Sequence, residues 1–400
     1  MVKRKKTLLM IFLAPIIVIV VAQGLVPLLT LVLSGIRKDM ADNVISLDNH
    51  TVENRQVVLE TDMVEHWSSI YKEGEYLNKS LADILKDNSV DMNGFLSSDD
   101  VQQQYLESVF PDMVDALQYN QTTGVFLVLA NENLTEDRST YNGFFLRDSD
   151  PQTRTASNTD LLLERGSKKL SHGESISLDS AWTTKFTFEG SGRRTCDDFF
   201  YKPYEAAEEH TDVDMVNLGY WSKPFILENN YMDNHKMITY SVPLVYAGTV
   251  YGVLGVEISV NYLESYLPVK NLDGNLNAGY AIAVKTGDNT YETIVGKGTL
   301  YDAVSRDSQG FTLIRQKEDI SKVRGAKVGK QDIYAVDKEL SLYSSNVPYS
   351  DAHWILCGFV TADSIYGMGQ DIYRIIIIAV LVSVILASIL VFLLTRYVTK

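Results

Sequence analysis

The stretch MITYSVPLVYAGTVYGVLGVEIS, residues 237–259, decides how this chain reads. Ile238, Tyr240, Val242 and Leu244 alternate with smaller or polar residues. Val250, Gly252, Leu254, Val256 and Ile258 do the same beyond Ala247–Gly248. A period of two sends successive side chains to opposite faces, so the spacing predicts two antiparallel strands around a small turn.

Working outward, GVFLVLA (124–130) has the short apolar run of a buried strand, and YNGFFLRD (141–148) pairs with it as a second hairpin. Residues 149–235 read as loop-rich, with DSDPQTR, EGSGRRTCDD and EEHTDVD as turns or exposed segments. VNYLESYLP (260–268) is a short helical connector ended by Pro268. A smaller strand-rich unit follows, through GYAIAVKT (279–286), YETIVG (291–296), FTLIRQ (311–316), DIYAVDKELSLYSS (332–345) and HWILCGFV (353–360). Helical segments followed by successive hairpins argue for an α+β fold with antiparallel sheets.

Upstream, no proline occurs between Ile36 and Phe110. Ile36, Met40, Val44, Leu47, Val57, Val58, Met63, Val64, Trp67, Ile70 and Tyr71 recur at helical spacing, which predicts a long amphipathic helix and makes these residues its packing face. At about 1.5 Å per residue its length is roughly 55–60 Å. Its expected roles are to cover a sheet of its own chain and to lie beside the same helix of a second subunit in a homodimer.

The ends set the compartment. Residues 7–33 and 375–394 carry no charge, and each matches or exceeds the roughly 20 residues that span a bilayer. The first is longer than the roughly 7–15-residue core of a cleavable signal peptide. Lys3, Arg4, Lys5 and Lys6 precede the first span, and Arg396 and Lys400 follow the second. Basic flanks stay cytoplasmic, so both termini are expected inside and residues 36–373 outside a cell membrane crossed twice. The expected organisation is a cytoplasmic tail (1–6), a first transmembrane helix (7–33) and a long helical region (36–110). A larger module (111–268) and a smaller one (269–373) follow, then a second transmembrane helix (375–395) and a short cytoplasmic segment (396–400).

The chain has 400 residues, 46% hydrophobic and 22% charged, with a net charge of −15. That acidity argues against a nucleic-acid partner. Cys196 and Cys357 lack CxxC spacing, which leaves one disulfide or two buried thiols. Neither a P-loop, GxSxG, HExxH nor an EF-hand loop occurs, so no catalytic residue, metal or cofactor is assigned.

YWSKPF (220–225), followed by ITYSVPL (238–244) and GTVYGVLGVEIS (248–259), resembles the end of the membrane-distal module of a double Cache sensor. FFYKPYEAAEE (199–209) resembles the aromatic helix start before it, and LTRYVTK (394–400) the beginning of a HAMP linker. The resemblance covers about residues 36–373. It implies two PAS-like antiparallel-sheet modules behind a long N-terminal helix, flanked by two transmembrane helices. It also implies a small-molecule sensor that relays binding through the second span to a cytoplasmic kinase, cyclase or chemotaxis output. Adhesive ectodomain and extracytoplasmic hydrolase are the other readings.

A pocket on the distal sheet needs convergent polar groups in an aromatic wall. The candidates are Arg147, Asp148, Trp182, Tyr201, Tyr204, Trp221, Asp233 and Tyr240. Arg147 suits a carboxylate and an aspartate an ammonium, while the aromatics offer area and a hydroxyl or N–H. Many amino-acid-sensing family members carry an Arg just before a Trp–aromatic pair at the helix start. This chain has Tyr201 and Pro203 there, which argues against an α-amino-acid ligand.

Overall fold

The computed structural model describes residues 14–26, 29–30, 35–132, 138–153, 158–227, 235–273, 277–305, 309–345 and 347–398. The 237–259 stretch forms the predicted hairpin, β8 (Met237–Tyr246) and β9 (Thr249–Ser259). Its turn residues Ala247 and Gly248 have φ of 50° and 81°. Positive φ at both turn positions matches the right-handed twist of the flanking strands. Ladder pairing jumps from Leu244–Gly252 to Val245–Val250, so Tyr251 is a bulge. The bulge shifts the phase, so Val250 lies on the face opposite to Leu254, Val256 and Ile258, with which the strict alternation grouped it.

The hairpin sits in a seven-stranded sheet ordered β5-β4-β3-β1-β9-β8-β7. Its other members are β1 (Gly124–Leu129), β3 (Gly143–Asp148), β4 (Leu161–Arg165), β5 (Ser177–Thr183) and β7 (Tyr220–Trp221). β4 and β5 run parallel, and the other pairs are antiparallel. A two-stranded ribbon joins β2 (Ser139–Tyr141) to β6 (Phe186–Phe188). The segment read as loop-rich thus holds several strands and two helices, α6 (Lys168–Gly173) and α7 (Asp198–Glu209). Their brevity, and Pro203 inside α7, hid them from periodicity.

One sheet face packs on helices. α1 (Ala14–Val26) is followed by α2 (Ile36–Thr61), a π turn (Asp62–His66), a 3-10 stretch (Trp67–Glu73) and α3 (Gly74–Asn88). The change of pitch at 62–73 is bridged by buried Ser68, whose hydroxyl donates to the carbonyls of Met63 and Val64, both at 2.8 Å. α4 (Met92–Ser97) leads into α5 (Asp99–Asn120), where the Ser98 hydroxyl accepts from the Val101 N–H and Asp99 and Asp100 suit the helix dipole.

The buried face of α2 differs from the expected one. Ala41, Ile45, Asp48, Val52 and Leu59 are buried, while Leu47, Val57, Val58 and, beyond α2, Val64 are exposed. A small residue and an acid on the inner face, and valines outside, mislead a count based on hydrophobicity.

α8 (Val260–Ser265) leads to a six-stranded antiparallel closed barrel in place of an open sheet. It comprises β10 (Gly279–Gly287), β11 (Thr290–Lys297), β12 (Gly310–Lys317), β13 (Ile320–Val328), β14 (Gln331–Leu340) and β15 (Trp354–Thr361), with α9 (Thr299–Ser305) after β11. Closure is a short β11–β12 ladder, including Tyr291–Phe311. β13, with charges at Lys322, Arg324 and Lys327, gave no strand signal in the sequence.

α10 (Ala362–Val398) is the single helix among the described residues long and apolar enough to cross a membrane. Residues 7–13, 27–28 and 31–33 of the other expected span lie outside the described residues. Its part in α1 packs on α10, where a Cβ at Gly24 would lie 2.6 Å from Val384 Cγ2. Cys196 and Cys357 are buried free thiols.

Candidate functional site

The distal sheet is buried on both faces, and the candidate residues divide between them. Arg147 lies on the face away from α5. β3, β1 and β9 bring Arg147, Gly124 and Glu257 into one row. Glu257 is fully buried, and its Oε2 would lie 2.7 Å from a Cβ at Gly124, so only glycine admits it there. His235 bridges the two ends: Nδ1 is 2.7 Å from Arg147 Nη2 and Nε2 is 2.9 Å from Glu257 Oε1. Arginine only donates, so Nδ1 accepts and Nε2–H donates to Glu257. Thr123 Oγ1 also donates to Glu257 Oε2, at 2.8 Å. Arg147 further pairs with Glu164 at 3.4 Å and Asp179 at 3.5 Å. Buried Arg165 holds Glu164 at 3.3 Å and donates to the carbonyl of Ala181, tying the parallel edge strand to the sheet. Arg147 is therefore engaged by the protein's own acids.

Beside this network α7 lays Phe199, Phe200, Tyr201 and Tyr204 on the sheet. Phe199 stacks on Phe225 at 5.4 Å and meets Phe126 edge-on at 5.0 Å. The space they enclose with Phe145, Phe186, Leu227, Met237 and Thr239 is about 10 Å³. That is about the volume of one water probe, so this part of the sheet face is a dry core. Tyr201 belongs to it, with its hydroxyl 3.2 Å from that of Tyr141, and burial pushes its ionisation up.

Room for a ligand lies at the far end of α7. A cleft of about 540 Å³ runs between that helix and the β8–β9 turn. Leu96, Leu218, Val245 and Val250 are among its apolar lining, with Glu208, His210, Asp214 and Thr249 as polar members. Tyr204 also lines it, donating to the Val250 carbonyl at 3.4 Å, and burial raises its ionisation to about 12. Among the described residues, Tyr204 is the candidate that borders this cleft.

Trp221 and Tyr240 face the helices, 5.1 Å apart. Trp67, from the 3-10 stretch, packs on Trp221, Tyr262 and Tyr266 at 6.4, 6.4 and 5.5 Å. The Trp221 N–H donates to Tyr343 Oη beyond β14, at 2.9 Å. These residues join the two β units. Trp182 donates its indole N–H to the Gly166 carbonyl at 3.0 Å, under the Lys168 ammonium. Asp148 caps the Asp150 N–H in a turn, and burial raises its carboxyl to about 6. Asp233 lies outside the described residues. The sequence reading did not single out Glu164, Asp179, Glu208, His235 or Glu257. A usable signal was an acid at an inward position of an apolar strand, which is Glu257.

No protein-family model and no curated protein sequence matches the chain. Among solved structures it is similar to the extracellular domain of a histidine-kinase candidate, soHK1S-Z6. That likeness has 13% identity and a TM-score of 0.41, covering 84% of this chain and 98% of the other. It is also similar to the ligand-binding domain of the Pseudomonas fluorescens chemoreceptor CtaA in complex with L-leucine, at 13% identity and TM-score 0.37, covering 83% and 99%. A third is the ligand-binding domain of the Campylobacter jejuni chemoreceptor Tlp3 in complex with L-valine, at 12% identity and TM-score 0.34, covering 82% and 97%.

Proposed function

We propose that this chain is the extracytoplasmic input region of a double Cache-type membrane receptor. A small molecule bound by the distal module would shift the helix behind it, and α10 would carry that shift to a cytoplasmic output. The observation that carries this reading is one helical path. α2 lies along α10, with Arg37 and Met40 beside Gly369, then packs on the barrel and continues through Trp67 into the distal core. A ligand moves such a path only if it binds two arrangements with different affinity. Leu47 and Val58, 66% and 45% exposed on the free side of α2, support pairing with the same helix of a second copy. Two membrane crossings, with both termini inside, complete the proposal.

The ligand site we assign is the cleft beside Tyr204. Its apolar lining, with Glu208 and Asp214 among the polar members, suits a small amphipathic cation. The test is thermal melting of the chain in lipid nanodiscs against panels of small amines, amino acids and carboxylates. One amine at about 100 times its Kd should stabilise the chain by about 2.7 kcal/mol. Thr249→Trp, which fills the cleft, should abolish that shift. A flat response across the panels, or a shift that survives Thr249→Trp, overturns the site.

A further inference from the structure

We infer that Asp48 is a proton-binding site in the seam between α2 and the barrel, and that its loading holds the helix closely on the barrel. The seam is tight at one point. A Cβ at Gly358 of β15 would lie 2.6 Å from Val52 Cγ2 of α2 and 3.1 Å from Leu272 Cδ1. Tyr280 of β10 pairs directly with Gly358, and directly paired residues share a face, so the Tyr280 ring also lies under α2. Asp48 and Arg55 are one turn to either side of Val52 on the same helix face.

Asp48 is 5% exposed and Tyr280 fully buried. Asp48 Oδ2, Arg55 Nε and the Tyr280 hydroxyl have no hydrogen-bond partner among the described residues. A carboxylate oxygen left this way in a packed seam loses its hydration without replacement, and a proton is the smallest ligand that removes the charge. Burial is the largest cause raising the Asp48 carboxyl, and the charge of Asp273 adds to it, to about 7.

The groups facing Asp48 come from each element around it. Asp273 lies in the connector before β10, Tyr280 is on β10, and Arg55 is on α2 itself. Lys338 of β14 is taken up by Glu53, at 3.7 Å. β15, WILCGFVT, carries no charged residue. The folded state therefore keeps a proton that the unfolded chain releases, between its ordinary value of 3.8 and about 7. The contribution to stability is full below that window and falls as pH rises through it. Proton binding here is independent of the ligand site proposed above. Only its consequence for signalling rests on the receptor reading, because the seam is part of the helical path to α10.

The experiment uses the full chain in nanodiscs, from about pH 5 to about pH 9. Difference infrared spectroscopy should show a protonated carboxylic acid that disappears with a midpoint near 7 and is missing from Asp48→Asn. Hydrogen exchange on the unmodified chain should show amides of residues 45–59 losing protection over the same range, beyond the intrinsic pH effect. The exchange result needs no variant to fold. A carboxyl that titrates near its ordinary value, or protection at 45–59 that is flat across neutrality, overturns the inference.

Discussion

Trp67→Ala should lower stability by about 3–5 kcal/mol and split unfolding into two transitions. Trp67 is 1% exposed and stands where α2 changes pitch. Its ring touches Trp221 of the distal sheet and Tyr262 and Tyr266 of the connector to the barrel. Removing the indole opens a cavity that collapses poorly, because three rigid aromatic rings border it. The other ties at this junction are narrow. Trp221 N–H reaches Tyr343, Tyr349 donates to the Lys202 carbonyl at 2.6 Å, and Lys223 pairs with Glu292 at 2.5 Å. Amide exchange in β15 reports the barrel, and amide exchange in β1 reports the distal sheet. Transitions that remain coincident by both probes, with a loss below about 1 kcal/mol, would show that Trp67 does not couple the units.

Arg147→Ala should cost about 3–5 kcal/mol while leaving the ligand-induced melting shift at the cleft intact. The guanidinium lies among Glu164, Asp179 and His235, and the first two are 1% and 10% exposed in their side chains. Truncation leaves buried carboxylates without that compensation. The variant Arg147→Met with Glu164→Gln, which removes one charge of each sign, should recover a substantial part of the loss. Denaturant midpoints at fixed pH measure both effects. If Arg147→Ala is as stable as the parent but loses the melting shift, Arg147 belongs to the ligand site.

The legible parts of this protein were those set by local pattern. The alternation in 237–259 specified two strands because a one-residue slip would exchange their faces. The charge-free run at 375–394 needed no tertiary partner to read as a membrane-length helix. The short strands β4 and β5, and the charge-interrupted β13, were not legible, because they are stabilised by neighbours from elsewhere in the chain.

The chemistry of the site was less legible. RDSDP reads as an available arginine beside a turn, yet Glu164, Asp179 and His235 reach Arg147 from distant parts of the sequence. The aromatics of FFYKPY read as a ligand wall, but Phe199 interlocks with Phe126, Phe145 and Phe225 around about 10 Å³, and Tyr204 alone of the stretch borders the cleft of about 540 Å³. Whether an aromatic wall encloses a pocket or a core depends on the volume opposite it.

By itself the sequence determined the central hairpin, the long helix, the antiparallel α+β class and the apolar C-terminal helix, since each follows from hydrophobic period and chain length. Only the tertiary structure decided that Ala41 and Asp48 face inward while Leu47 and Val58 face out, and that β11 and β12 close a barrel. The same holds for the charges around Arg147 and the location of the cleft at Tyr204. Burial and ionisation depend on which surfaces meet across long sequence separations, and local periodicity does not encode that meeting.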